Sequence, residues 1–143
     1  MENIKAILFA LLSAFIWGSA PVLFKLGLRG DVSPISGIFI HNLTATVFAF
    51  LTLLAVKENP VGYPVKELLT VALGGFVSGF LGLLVYYKAI KVGYVSIVAP
   101  IASSSPLFST LLAIIILGES FTLTKFIGTI LVIIGIVLLS YSK

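Results

Sequence analysis

Apolar stretches of roughly twenty residues, the length that crosses a bilayer as a helix, follow one another along nearly the whole chain. Charged residues make up 10% of the sequence, against about 25% in soluble domains, and the mean hydropathy is +1.23. The sequence therefore predicts an all-α membrane protein, with one transmembrane domain over residues 1–143. Its five transmembrane helices are expected at about 4–24, 33–56, 66–87, 94–117 and 121–141.

The composition excludes several classes of function. Five spans leave short connections, without room for a receptor ectodomain or a soluble catalytic module. The chain has no cysteine and one histidine, which excludes disulfides, thiolate chemistry and a histidine metal cluster, and it has no cofactor motif. The net charge of +4 is spread over the loops without a basic run, which argues against nucleic acid. We therefore expect neither an enzyme nor a cofactor.

The fourth predicted span carries two prolines six residues apart, Pro100 and Pro106, with three serines between them. Each proline lacks an N–H and crowds the carbonyl four residues earlier, so this helix should bend or break at mid-depth. Discontinuous helices often build the substrate site of transporters; a kinked helix that serves only packing is the alternative. The serines are candidate substrate ligands: Ser103, Ser104 and Ser105.

The second predicted span contains His41 and Asn42, both candidate substrate ligands. His41 lies roughly 12 Å inside the helix start, and an ionisable side chain at that depth is by default a candidate for a functional site. A neutral histidine bonded to a backbone carbonyl is the alternative. If transport is coupled to protons, His41 is the expected carrier, because histidine titrates near neutrality in water.

Two aromatic residues are further candidates. Trp17 lies too deep in the first span for an interfacial residue, so it is either a packed core aromatic or the wall of a cavity. Tyr86 continues a helical stripe formed by Gly75, Gly79 and Gly82. Small residues on one stripe allow another helix to approach closely. Tyr86 and its neighbour Tyr87 are therefore either interface aromatics or part of a cavity mouth, and Tyr86, on the stripe, is the candidate substrate ligand.

Local signals predict where several helices begin and end. Ser33 followed by Pro34 predicts a capped start of the second span, and Gly118 predicts the end of the fourth. Lys25 is positioned to extend to the lipid headgroups. The first span lacks a clean small-residue cleavage site, so we expect a retained helix rather than a signal peptide.

Four groups of residues together form a recognisable pattern. They are Trp17-Gly18-Ser19, residues 86–93 leading into 96–106, residues 117–120, and Gly128 with Gly135. The pattern resembles the EamA-type repeat of the drug/metabolite transporter superfamily, and the resemblance covers essentially the whole chain.

The resemblance implies a fold, an activity and a site. Members usually carry two five-helix repeats in inverted orientation, and they export or exchange amino acids, other metabolites and drugs. The implied cavity is lined by the first four spans, onto which Trp17, His41, Tyr86 and 103–105 map. This chain has one repeat. It also has His41 where the family commonly has an arginine, so the resemblance does not imply an anionic substrate.

The basic residues give little preference for either orientation in the membrane. Of the nine lysines and arginines, four flank the spans on the N-terminal side and five, including Lys143, on the other, and orientation follows this difference. We therefore expect a secondary transporter of small organic solutes in the cell membrane, with dual topology, working as an antiparallel homodimer joined through Gly128 and Gly135. The alternatives are a non-transporting accessory subunit or scaffold, or half of a heterodimer.

Overall fold

The computed structural model describes residues 2–141, which fold into a series of helices. They are α1 (Glu2–Gly27), α2 (Pro34–Val56), α3 (Val65–Gly75), a π-helical segment (Phe76–Gly82), α4 (Leu83–Val92), α5 (Val95–Ala102), α6 (Ser105–Leu117) and α7 (Leu123–Tyr141). Their contacts fall into two compact units that divide between Val92 and Gly93. Lys143, one of the basic residues counted above, lies outside the described residues.

Four stretches of helix are long and apolar enough to cross a membrane. They are Ile4–Gly27, Pro34–Val56, Val65–Val92 and Val95–Leu117. A shorter apolar helix, Leu123–Leu138, follows them within α7. The prediction of an all-α, multi-pass integral membrane protein is therefore confirmed.

The predicted start of α2 and end of α6 are both observed. Ser33 Oγ accepts a hydrogen bond from the Ser36 backbone N–H at 3.1 Å, and Pro34 is the first helical residue. This position suits proline because the first N–H groups of a helix have no partner inside it. α6 ends at Gly118, whose φ of 67° lies in the left-handed region that glycine adopts readily.

The core of the first unit lies where α4 meets α1 and α2. Four residues are buried there: Leu28, Ile38, Tyr87 and Ile90. They come from the connection after α1, from the first turns of α2 and from α4, so the ends of three helices are packed together. This junction positions the candidate site described below.

Two lysines bind backbone carbonyls at this junction. Lys25 Nζ donates to the carbonyls of Ile90 at 2.7 Å and Lys91 at 3.1 Å. Lys91 Nζ in turn donates to the carbonyl of Val32 at 2.6 Å. We expected Lys25 to extend to the headgroups; instead it satisfies carbonyls at the end of α4, which have no N–H partner within the helix. The two lysines thus connect α1, the connection to α2, and α4.

The third span contains a π-helical segment that the sequence did not predict. In a π-helix the hydrogen bonds run over five residues instead of four, so carbonyls are displaced from the regular α pattern. Asn42 Nδ2 donates to the Gly79 carbonyl within the segment at 2.8 Å. The side chain of Asn42 therefore connects α2 to the irregular part of the third span.

The glycines that were expected to support helix packing contact little within the described chain. An added Cβ would meet no atom within 4 Å at Gly75, Gly128 or Gly135, and only Asn42 Oδ1, at 3.8 Å, at Gly79. The close approach between helices is instead made at Gly37, which the sequence analysis did not single out.

The second unit contains the break in the fourth span. α5 ends at Ala102 and α6 begins at Ser105, while α7 packs against both helices. Ser103 closes the end of α5, because its N–H and its Oγ both donate to the Ala99 carbonyl, at 3.0 and 2.9 Å. Pro106 lies in the first turn of α6, where its missing N–H leaves no bond unmade.

We predict that Lys91→Met destabilises the protein more than Lys88→Met. Lys91→Met removes the bonds to the carbonyls after α1, whereas Lys88 is exposed one turn earlier and carries the same charge. A hydrogen bond from a charged donor contributes about 1.5–3 kcal/mol when it is buried. Since Lys91 is partly exposed, we expect a difference of about 1 kcal/mol, measured as a lower unfolding temperature in detergent. Equal effects of the two substitutions would contradict the structural role of Lys91.

Candidate functional site

The first unit contains a cavity of about 590 Å³ between the end of α1, the first half of α2, and α4. Most of its wall is apolar, and its polar side chains come from α2 and α4. The lining residues are Leu23, Phe24, Gly27, Leu28, Val32, Gly37, Ile40, His41, Thr44, Ala45 and Tyr87. The α2 members are spaced as one face of a helix, with separations of three and four residues.

An aromatic cluster forms one part of the cavity wall. His41 Nδ1 and Tyr87 Oη are 2.9 Å apart and hydrogen-bonded. The ring of Phe24 packs against both, with centroid distances of 5.2 Å to His41 and 4.9 Å to Tyr87. These rings tie α1, α2 and α4 together around the polar pair.

The His41–Tyr87 pair can offer a ligand either a hydrogen-bond donor or a hydrogen-bond acceptor. If Tyr87 Oη donates to Nδ1, the other ring nitrogen of His41, Nε2, carries a proton and can donate. If Nδ1 carries the proton and donates to Tyr87 Oη, Nε2 can accept. Within residues 2–141 Nε2 has no hydrogen-bond partner. The pair can therefore bind an acceptor or a donor without a change in net charge.

Gly37 makes room for the ring of Tyr87. A Cβ built at Gly37 would lie 2.9 Å from Cε1 and 3.0 Å from Cδ1 of Tyr87, and 3.2 Å from Cδ2 of Leu28. The first separation is shorter than carbon contacts in proteins show and the other two are tight, so the Tyr87 ring would have to shift to admit a methyl group. Only glycine therefore allows Tyr87 to lie against α2 at the level where it contacts His41.

The cavity lining holds no Asp, Glu, Lys or Arg side chain among the described residues. Burial of a charged ligand here would cost several kcal/mol even after relaxation. Contact between a cation and an aromatic ring would return only about 0.5–2 kcal/mol of that cost. The same part of the chain brings no three potential metal ligands together. The arrangement therefore suits reversible binding of an organic molecule.

The candidates from the first three spans have different surroundings. His41 lines the cavity, whereas Asn42 is bonded to Gly79 and Trp17 is 75% exposed and outside the lining. Tyr86 is half-buried and outside the lining, and its neighbour Tyr87 is the tyrosine bonded to His41.

The π-helical segment explains why Tyr87 rather than Tyr86 contacts the cavity. A stripe extended from Gly75 at the α-helical period of 3.6 residues per turn reaches Tyr86. Each π turn contains an additional residue, so the residue that faces α2 beyond the segment is one position later, at Tyr87. The sequence offers no signal for this shift.

The serines of the fourth span belong to the second unit. Ser103 and Ser104 form the connection between α5 and α6, and Ser105 is the first residue of α6. Ser103 Oγ is bonded to Ala99, and the Ser105 carbonyl accepts from Ser109 Oγ at 3.0 Å. Pro100 lies inside α5 and Pro106 at the start of α6. The part of the three serines in substrate binding stays a prediction.

The sequence did not identify Phe24, Gly37 or Thr44 as lining residues, and it favoured Tyr86 over Tyr87 as a substrate ligand. A signal was present for the α2 residues, because Gly37 and Thr44 lie four residues before and three after His41 and so share its face. Phe24 and Tyr87 could not be assigned in this way, since their contacts depend on packing between helices.

Comparison with known proteins identifies a transporter family. The model of a family described as the EamA-like transporter family matches residues 4–141. An uncharacterized protein of Methanocaldococcus jannaschii is 32% identical over 138 residues, which cover 96% of this chain and 98% of the relative.

Two longer relatives are uncharacterized transporters. One, of Archaeoglobus fulgidus, is 31% identical over 91% of this chain and 46% of its own length. The other, of Clostridium kluyveri, is 30% identical over 99% of this chain and 45% of its own length. This chain therefore spans about half the length of these transporters. No solved structure matches it.

We predict that Gly37→Ala disturbs the site and that Gly18→Ala does not. The new methyl group at position 37 would displace the Tyr87 ring, whereas a Cβ at Gly18 meets no atom within 4 Å. We expect Gly37→Ala to lower stability by about 1–3 kcal/mol, as overpacking does, measured by thermal unfolding in detergent. If the two variants unfold at the same temperature, the close packing at Gly37 is wrong.

Proposed function

Because this chain belongs to the EamA-like transporter family, we propose that it is a secondary transporter of small organic solutes in the cell membrane. Membership of the family points to a transporter rather than to an enzyme. We further propose that the cavity of the first unit binds the solute, with His41 and Tyr87 as its polar ligands.

The cavity is the observation that carries this proposal. Its volume of about 590 Å³ falls within the range of about 300–1,000 Å³ that is usual for small-molecule sites. Such sites are mostly apolar with a few polar groups that orient the ligand. The lining of this cavity, with the His41–Tyr87 pair on an apolar wall, has that composition.

The position of the polar pair also supports a role in transport. Ionisable side chains within membrane-spanning helices are rare and generally mark solute or ion pathways. His41 lies inside α2, and its partner Tyr87 lies inside the helical stretch Val65–Val92. A solute bound here would contact helices from three different spans, so movement of one span relative to the others would change its surroundings.

We propose that the working unit is an antiparallel homodimer. The chain spans less than half of two uncharacterized transporters, and many transporters are built from two inverted repeats. The nearly even distribution of basic residues favours insertion in both orientations. An added Cβ at Gly128 or Gly135 of α7 meets no atom within 4 Å among the described residues, which supports this helix as the face that meets the second copy.

The solute-binding part of the proposal predicts a selective loss of affinity. His41→Gln and Tyr87→Phe should each weaken the apparent affinity of flux into proteoliposomes about tenfold, which corresponds to about 1.4 kcal/mol. Phe9→Leu alters an exposed residue of α1 outside the cavity and should leave flux unchanged. Unaltered flux in both cavity variants would place the site elsewhere, and the absence of flux for a broad panel of solutes would favour an accessory role.

The dimer part predicts an orientation test with rescue. A pair of lysines added to loop 58–63 should trap one orientation and abolish flux, whereas a pair of glutamines in the same positions should not. A pair of lysines in loop 29–31 should trap the opposite orientation, and co-expression of the two trapped forms should restore flux. A C-terminal reporter shows the orientation in each case. Full activity of one trapped form alone would contradict the antiparallel dimer.

A further inference from the structure

The charges around the cavity limit the chemistry of the solute. The lining contains no acidic or basic side chain other than His41 among the described residues. Two lysines at this end of the unit, Lys25 and Lys91, donate to backbone carbonyls that belong to the fold. Arg29 and Asp31 lie in the connection between α1 and α2, where they are exposed and outside the lining. A charged solute would therefore lose its hydration without gaining a counterion.

The cavity has three polar side chains among the described residues: His41 and Thr44 on one face of α2, and Tyr87 of α4, whose Oη is bonded to His41. His41 Nε2 has no partner within the described chain, and Thr44, one turn further along α2, also lines the cavity. Residues three apart on a helix are neighbours, so both groups serve the same region. The rest of the wall comes from aliphatic and aromatic side chains and glycines.

The aromatic rings do not replace a counterion. Phe24, His41 and Tyr87 pack on one another, so part of each ring face is already covered. A cation–π contact would offset only part of the loss of hydration, and a carboxylate would have only neutral donors from the His41–Tyr87 pair.

We infer that the solute is an uncharged, largely apolar organic molecule whose single polar group hydrogen-bonds to His41 Nε2 and Thr44. This inference rests on the proposed function and narrows its substrate class. Zwitterionic amino acids, organic anions and organic cations are excluded by it as preferred solutes.

Binding is the appropriate measurement, because uncharged apolar solutes also cross a bilayer unaided. Purified protein in nanodiscs is titrated with sets of probes that share one carbon skeleton and differ in charge. One set is phenylacetamide, phenylacetate, 2-phenylethylammonium and phenylglycine, and matching sets are built on indole and on cyclohexane. We expect the neutral member of every skeleton that binds to do so at least tenfold more tightly than its charged relatives.

A substitution at Thr44 tests whether the lack of a charged side chain in the cavity sets the preference for neutral solutes. Thr44→Asp supplies the missing carboxylate and should shift preference toward the ammonium probe by at least tenfold. The matched variant Thr44→Asn has nearly the same shape without the charge and should keep the preference for the neutral probe. Since Thr44→Asp risks poor insertion, the wild-type probe series remains decisive without it.

The possible results separate this inference from the proposed function. Preferred binding of a charged probe overturns the inference while it leaves a solute transporter in place. Binding that is unaffected by both Thr44→Val, which removes the hydroxyl, and His41→Gln overturns the assigned polar contacts. The absence of saturable binding for every skeleton overturns both the inference and the proposal that this cavity binds a solute.

Discussion

The structure depends on hydrogen-bond donors for the backbone carbonyls that have no N–H partner in a regular α-helix. A bilayer offers no water to satisfy them, so the chain must provide donors wherever a helix ends or changes its period. Three side chains do so at separate points: Lys25 at the end of α4, Asn42 at the π-helical segment, and Ser103 at the end of α5. The polar residues of this apolar chain are thus largely committed to its own backbone.

That commitment distinguishes Lys25, Asn42 and Ser103 from His41. Its Nδ1 is bonded to a side chain rather than to a carbonyl, and Nε2 remains available within the described chain. The pair with Tyr87 in turn depends on Gly37, because any side chain there would overlap the tyrosine ring. A single close contact between α2 and α4 therefore sets both the shape of the cavity and its polarity.

The sequence predicted much of the fold and less of the site, for identifiable reasons. Long apolar stretches, the Ser33–Pro34 cap and Gly118 depend on local chemistry, which one sequence displays. His41 could be found because an ionisable residue at such depth is unusual. Tyr87 could not be preferred to its neighbour Tyr86, because the π-helical segment changes the phase of the residues that follow it. Contacts such as that between Lys25 and the end of α4 join residues far apart in sequence, and no local pattern records them.

A solute that binds beside His41 in the first unit should change the surroundings of its ring nitrogens. His41 is the only histidine of the chain, so protein labelled with ¹⁵N-histidine reports its two ring nitrogens without interference. Solid-state NMR of the labelled protein in lipid, with and without the tightest-binding probe, tests the claim directly. We predict that the Nε2 signal shifts in proportion to the fraction of sites occupied by the probe, while the Nδ1 bond to Tyr87 persists. Saturable binding that leaves both signals unchanged would contradict it.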